Sequence, residues 1–210
     1  MGTKKSDLGS KLRIGLWIAV GVAALAGLAV LLGEVQRGAW LGGTRSAVFR
    51  IHEPFTLTTQ KGEQFSSESL KGHPYMVFFG YTHCPDICPT TLQEVSTHLA
   101  DLGDKAGQLK VLFITVDPAR DTAENLASYL SSFDSRIIGL TGSEAQIRHV
   151  AKLYHAYFEK VEPSGDSDDY AMNHTASVYL FDRSGKLVST LNWQEKASVR
   201  QAKLEKLLTR

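Results

Sequence analysis

The chain has 210 residues, with 23 basic and 22 acidic side chains and a formal net charge of +1. That balance lacks the clustered basic excess on which nucleic-acid binding depends. Hydrophobic residues make up 43% of the chain, enough for a core, and the two cysteines are too few for a disulfide-rich scaffold.

In chain order, the first feature is residues 14–32 (IGLWIAVGVAALAGLAVLL), a run of 19 residues without a charge. As a helix it would span about 28 Å, close to the hydrocarbon thickness of a bilayer. It is apolar on every face, unlike a soluble amphipathic helix. Lys4, Lys5, Lys11 and Arg13 precede it, whereas Glu34 and Arg37 follow. The positive-inside rule therefore predicts a cytoplasmic N-terminus (1–13), a transmembrane anchor (14–32) and everything after it across the membrane. The run is longer than a typical signal-peptide core of about 7–15 residues, and no A-x-A cleavage site follows it. The N-terminus is not amphipathic and Arg-rich, as a mitochondrial transit peptide would be. The expectation is a bacterial inner-membrane protein with a periplasmic domain. Residues 33–45 read as a linker and 46–210 as one domain.

Within that domain, residues 55–58 and 63–65 flank Gln60-Lys61-Gly62 and predict a hairpin. Residues 75–79 (YMVFF) and 109–116 (LKVLFITV) read as strands buried on both faces, separated by a helix from about 89 to 102. Asp121 and Thr122 stand where they can cap a helix running to about 133. A brief strand at 137–140 precedes a helix opened by Ser143, with Ile147, Val150, Ala151 and Tyr154 as its apolar positions. Residues 162–169 (EPSGDSDD) read as an exposed loop. Residues 176–181 and 186–191 form a second hairpin around Gly185, and 195–208 a last helix. This order predicts an α/β sandwich with a central mixed sheet.

Chemistry concentrates in FGYTHCPDICPTT (79–91), where a buried strand passes into a helix. Cys84 and Cys88 are four apart, so near a helix start they share a face. Their sulfurs can then close a disulfide or converge on one metal. A helix N-terminus also favours the thiolate. A purely structural bridge would close a very short loop and stabilise the fold little. A soft Cu(I) ion accepts two thiolates and an imidazole. Of the seven histidines, His174 stands at the junction of a polar loop and the strand 176–181. From its position alone it reads as a loop histidine capped by its neighbours more readily than as a ligand.

Three segments together, YTHCPDICPTTL (81–92), VDPARDT (116–122) and DYAMNHTASVYLFDRSGKL (169–187), resemble the Sco/SenC family. The resemblance covers about residues 50–208 in order, and the anchor matches as well. It implies a thioredoxin-like fold, a central mixed sheet flanked by helices, with one N-terminal transmembrane helix. It implies that Cys84, Cys88 and His174 bind one copper, as Cu(I) or Cu(II). It further implies delivery of copper to the dinuclear copper site of cytochrome c oxidase, or preparation of that site by reducing its cysteines. The implied partners are the copper-containing oxidase subunit and other periplasmic copper chaperones or thiol reductants. Two thiolates, a neutral imidazole and Cu(I) sum to −1; Cu(II) gives zero and calls for a further donor. Oxidation of Cys84 and Cys88 to the disulfide would release the ion.

Two departures stand out. Relatives often carry an acidic residue where this chain has Asn173, which can still orient an imidazole by hydrogen bonding. The proline with which thioredoxin oxidoreductases enter the strand facing their cysteines is absent from Asn173-His174-Thr175-Ala176. The competing expectations are a thiol–disulfide reductase using Cys84 and Cys88, then a peroxiredoxin-like peroxidase, which the short cysteine spacing argues against, and last a plain structural anchor. A metallochaperone is not a turnover enzyme. Asp86 reads as a first-turn carboxylate or a partner contact, and Asp117 as a residue within reach of the cysteine loop. Asp121 reads as a helix cap, Met172 as a packing or solvent-facing residue, and Tyr154 and Tyr157 as packing residues.

Overall fold

The structure is a computed structural model, and it describes residues 17, 21–23, 25–28, 49–51, 53–162 and 170–209. The predicted anchor lies mostly outside the described residues, as do the linker and most of the 162–169 loop. Residues 17, 21–23 and 25–28 are helical. Among the described residues, no helix is long and apolar enough to cross a membrane. Val48–Arg210 form one compact unit.

Its elements are β1 (Thr56–Thr59), β2 (Gln64–Ser66), β3 (Tyr75–Gly80), α1 (Ile87–Leu102), β4 (Lys110–Thr115), α2 (Ala123–Leu130) and β5 (Ile137–Thr141), followed by α3 (Glu144–Leu153), β6 (Phe158–Val161), β7 (Ala171–His174), β8 (Val178–Phe181), β9 (Leu187–Leu191) and α4 (Ala197–Leu208). The main sheet has the order β2-β1-β5-β4-β3-β8-β9. β3, β4 and β5 run parallel, and the remaining pairs are antiparallel. This is the thioredoxin-like arrangement of a mixed sheet between helices.

The central strands follow from their composition. Every residue of β3 (YMVFFG) is buried, as are the last five of β4 (KVLFIT). A strand covered by helices on both sides must be apolar at every position rather than at alternate ones. Tyr129 of α2 meets Phe113 on one face. α4 joins α1 through Arg200 and Glu94 and through His98 and Gln201. Tyr154, just after α3, packs edge-on against Phe79 and Phe181.

Local signals set the helix starts. Ser143 caps α3 in a full capping box with Gln146. At α2 the capping oxygen belongs to Thr122, which accepts from the Asn125 N–H. Asp121 is therefore not the cap; its side chain turns inward and is fully buried. α1 begins at Ile87, so Pro89 falls in the first turn, where a missing N–H costs nothing.

The sequence reading did not anticipate β6 and β7. They form a separate two-stranded sheet, with Phe158 opposite His174 and Glu159 opposite Asn173. His174 is thus the last residue of a strand, not a loop histidine. Tyr157 is 58% exposed and is not a core packing residue, whereas Tyr154 is buried.

Candidate metal centre

Gly80 ends β3, and the chain turns through residues 81–86 before α1. The Cys84 N–H donates to the Tyr81 carbonyl at 3.3 Å, which closes this turn. Cys88, in the first turn of α1, donates its N–H to Cys84 Sγ at 3.4 Å. The sulfur thereby occupies the place that a capping oxygen would take. Asp86 precedes the helix but is exposed and makes no side-chain cap bond.

The hairpin β6–β7 brings His174 over this helix start, 86 residues along the chain from Cys88. Its Nε2 lies 3.4 Å from Cys88 Sγ. Its Nδ1 lies 3.1 Å from the Thr175 carbonyl oxygen, which can only accept, so Nδ1 carries the proton. Nε2 then presents its lone pair to the sulfurs, the tautomer a metal ligand needs. Tyr81 packs edge-on to the imidazole at 5.8 Å between centroids, and Phe78 at 6.2 Å.

The ligand-bearing atoms of Cys84, Cys88 and His174 all lie within 4.8 Å of one another. Among the described residues this is the one group of three or more His, Cys, Asp or Glu side chains able to hold a metal ion. Both cysteines are free thiols and buried. Two sulfurs and one imidazole nitrogen, with no carboxylate, in a site largely shut off from water suit a soft ion such as Cu(I). His83 is exposed, and its ring bonds Thr82 rather than joining the group.

The cysteines share charge unequally. Cys84 is lowered to about 3, chiefly by a hydrogen bond from the Cys88 thiol, assisted by the N–H groups of Asp86 and Cys88. Cys88 is raised, first because it donates that hydrogen bond and then because it is buried. The reduced pair holds one thiolate and one thiol.

Asp121 braces the cysteine turn. Its carboxylate accepts from the Thr82 N–H at 3.1 Å, the Thr82 hydroxyl at 2.6 Å and the Thr115 hydroxyl at 2.5 Å. Burial pushes its carboxyl up, while these hydrogen bonds oppose the shift. Asp117 is directed elsewhere: it pairs with Arg120 and accepts from the Tyr170 hydroxyl at 2.8 Å. Asn173 is exposed and faces away, as alternation along a strand requires, so the Thr175 carbonyl orients the imidazole instead. Met172 is partly buried against the core.

Sequence reasoning missed three supporting residues. Gly80 leaves room for the Cys88 sulfur, Tyr170 holds the approach to β7, and Thr82 links the cysteine turn to Asp121. Their neighbours in space are distant in sequence, and no local pattern marks them.

The SCO1/SenC family model matches residues 44–209. The chain belongs to the SCO1/SenC family. The SCO2-like protein of Rickettsia prowazekii is 39% identical over 137 residues, covering 65% of this chain and 67% of that one. Mitochondrial SCO2 of Saccharomyces cerevisiae is 40% identical over 149 residues, and the match spans 70% of this chain but only 50% of the yeast protein. Among solved structures, Bradyrhizobium japonicum ScoI with copper bound is 46% identical, with a TM-score of 0.68 over 74% of this chain and 98% of that one. BsSco, described as a Sco-family cytochrome c oxidase assembly protein with a disulfide switch, is 26% identical, with a TM-score of 0.60 over 78% of this chain and 95% of that one.

Proposed function

We propose that this SCO1/SenC protein is a membrane-anchored, copper-binding assembly factor. Cys84, Cys88 and His174 hold one copper as cargo, Cu(I) in the three-donor state. The observation that carries the reading is the convergence of two sulfurs and one imidazole nitrogen within 4.8 Å in a largely buried pocket. The copper bound in the Bradyrhizobium structure supports the choice of metal. The assembly role described for BsSco supports the copper-containing subunit of cytochrome c oxidase as the partner. On this reading the chain delivers copper to the dinuclear site of that subunit. Residues 14–32 anchor it in a bacterial inner membrane, with 1–13 cytoplasmic and the domain periplasmic.

A second reading has its own support. A low-pKa Cys84 beside a protonated Cys88 is a poised thiolate pair. Thiolate attack by one cysteine on a substrate disulfide, followed by resolution by the other, would reduce the substrate and leave Cys84–Cys88 oxidised. The chain would then prepare the oxidase cysteines rather than load them.

Anaerobic copper titration of the reduced chain in detergent separates the two. One copper per chain, lost in Cys84→Ser, Cys88→Ser and His174→Ala, is the expected result. Absence of stoichiometric binding, together with rapid cycling of the disulfide, would overturn the copper reading in favour of the reductase. Protease protection of the domain in intact spheroplasts, rather than digestion from outside, would overturn the periplasmic placement.

A further inference from the structure

The cysteines and His174 come from separate parts of the fold. The cysteines stand on the junction of β3 and α1, inside the main sheet's framework. His174 stands on the two-stranded β6–β7 sheet, which among the described residues shares no strand pairing with the main sheet. An isolated two-stranded hairpin is marginally stable in water. Phe158 and Met172 pack this one against the core, and polar contacts add to that packing in setting its distance from the sulfurs.

The turn between β4 and α2, residues 117–121, touches both parts. Toward the cysteines, Asp121 takes two hydrogen bonds from Thr82 and a third from Thr115 of β4. Its own carbonyl accepts from the Thr141 hydroxyl of β5 at 2.8 Å. The cysteine turn is thereby tied to two central strands. Toward the histidine, Arg120 Nη2 donates to the Tyr170 carbonyl at 2.9 Å, and the guanidinium lies 3.7 Å from the centre of the Tyr170 ring. Arg120 Nε donates to Asp117, whose other oxygen accepts from the Tyr170 hydroxyl. Tyr170 immediately precedes β7, four residues before His174. The Arg120 guanidinium is also 5.8 Å from the ring of Tyr81, which packs on the imidazole.

We propose that the 117–121 turn sets the separation between the cysteine pair and His174, with Asp121 positioning the first and Arg120 the second. The proposal rests on the copper-binding reading for its consequence, but not for its geometry. Arg120 acts through its planar fork, which satisfies a carbonyl and a carboxylate while stacking on a ring. A lysine keeps the charge and loses the fork. Arg120 and Asp121 touch none of the three donor atoms, so both are positioning residues.

The test uses Arg120→Lys and the milder Tyr170→Phe, each in the 210-residue chain in detergent beside the wild type. Three readouts are taken. They are Cu(I) affinity by competition, the Cu(II) EPR and thiolate charge-transfer spectra, and amide exchange of residues 171–174 in the reduced, copper-free protein. Arg120→Lys is expected to weaken copper by about tenfold or more, the usual size for residues that orient ligands. It should also shift the Cu(II) spectra and speed exchange in β7. Tyr170→Phe should move each readout the same way by less. Wild-type affinity and spectra in Arg120→Lys would overturn the proposal, as would a lowered melting temperature with unshifted spectra. If the wild type itself takes no copper, the copper reading falls, and exchange alone decides: unchanged exchange in β7 in both variants overturns the positioning role.

Discussion

Gly80 lies against the sulfur of Cys88. A Cβ at position 80 would stand 2.9 Å from Cys88 Sγ and 2.7 Å from Cε2 of Phe113. Both neighbours are fully buried, so neither can swing into solvent. Gly80→Ala should therefore cost about 1–3 kcal/mol of stability through overpacking. It should also displace a donor sulfur and weaken copper binding. Gly107→Ala, where nothing lies within 4 Å of the added methyl, should leave both unchanged. Denaturant unfolding and copper titration of the two variants check this. Equal behaviour would show that Cys88 has room to move.

The unequal cysteines predict a proton count. At neutral pH Cys84 is already a thiolate and Cys88 holds its proton. Loading an ion that takes both sulfurs as thiolates should release about one proton, where two ordinary thiols would release nearly two. Calorimetry in buffers of different ionisation heat measures the number. The linked stability has a definite sign. Between about 3 and the ordinary thiol value of 9.0, the unfolded chain binds the Cys84 proton that the folded one has lost. In that window, stability of the reduced protein from this group rises with pH, and it is lost as pH falls toward 3. Above it, Cys88 reverses the trend, because the folded protein keeps a proton that the unfolded chain releases.

Arg200 on α4 is nearly buried and serves several acceptors. Its Nη1 donates to the Trp193 carbonyl at 3.1 Å and to the Glu195 carbonyl, and its Nη2 donates to Glu94 of α1 at 2.9 Å. Arg200→Ala removes the buried guanidinium and its hydrogen bonds, while water can reach the partly exposed acceptors, and should destabilise the domain by about 1–3 kcal/mol. Thermal unfolding reads the loss. A shift within about 0.5 kcal/mol would mean that water replaces the guanidinium without cost.

Thr122→Ala distinguishes the helix cap from the buried carboxylate beside it. Removing the cap should cost about 1 kcal/mol while leaving copper affinity unchanged. Asp121→Asn, which keeps the cap, should instead perturb the cysteine turn. If Thr122→Ala alters copper binding and Asp121→Asn does not, their roles have been assigned the wrong way round.

Much of this protein is legible in the sequence. Runs such as YMVFF and LKVLFITV read as strands buried on both faces, because they are short, almost continuously apolar and rich in aromatic and β-branched residues. The apolar positions after Ser143 repeat at helical spacing, and the turn before Gly185 (φ 72°) needs a residue without a Cβ. The cysteine pair is equally local: a spacing of four at a helix start puts both sulfurs on one face. Asp121 and Thr122 illustrate the limit. Both residue types cap helices, and only the position of Thr82, 39 residues away, shows that Asp121 turns inward.

The strand carrying His174 is the clearest case of what the sequence by itself could not determine. β7 is four residues long, alternates weakly between exposed and half-buried, and among the described residues pairs only with the equally short β6. Its hydrophobic signal is too faint to separate from a loop. Backbone propensity, apolar periodicity and cysteine spacing act between near neighbours and are written in the chain. The approach of His174 to Cys88, the room left by Gly80 and the grip of Arg120 on Tyr170 are contacts across 86, 8 and 50 residues. They exist only because the central sheet brings the ends of β3 and β4 together beneath the hairpin, and that is a property of tertiary packing.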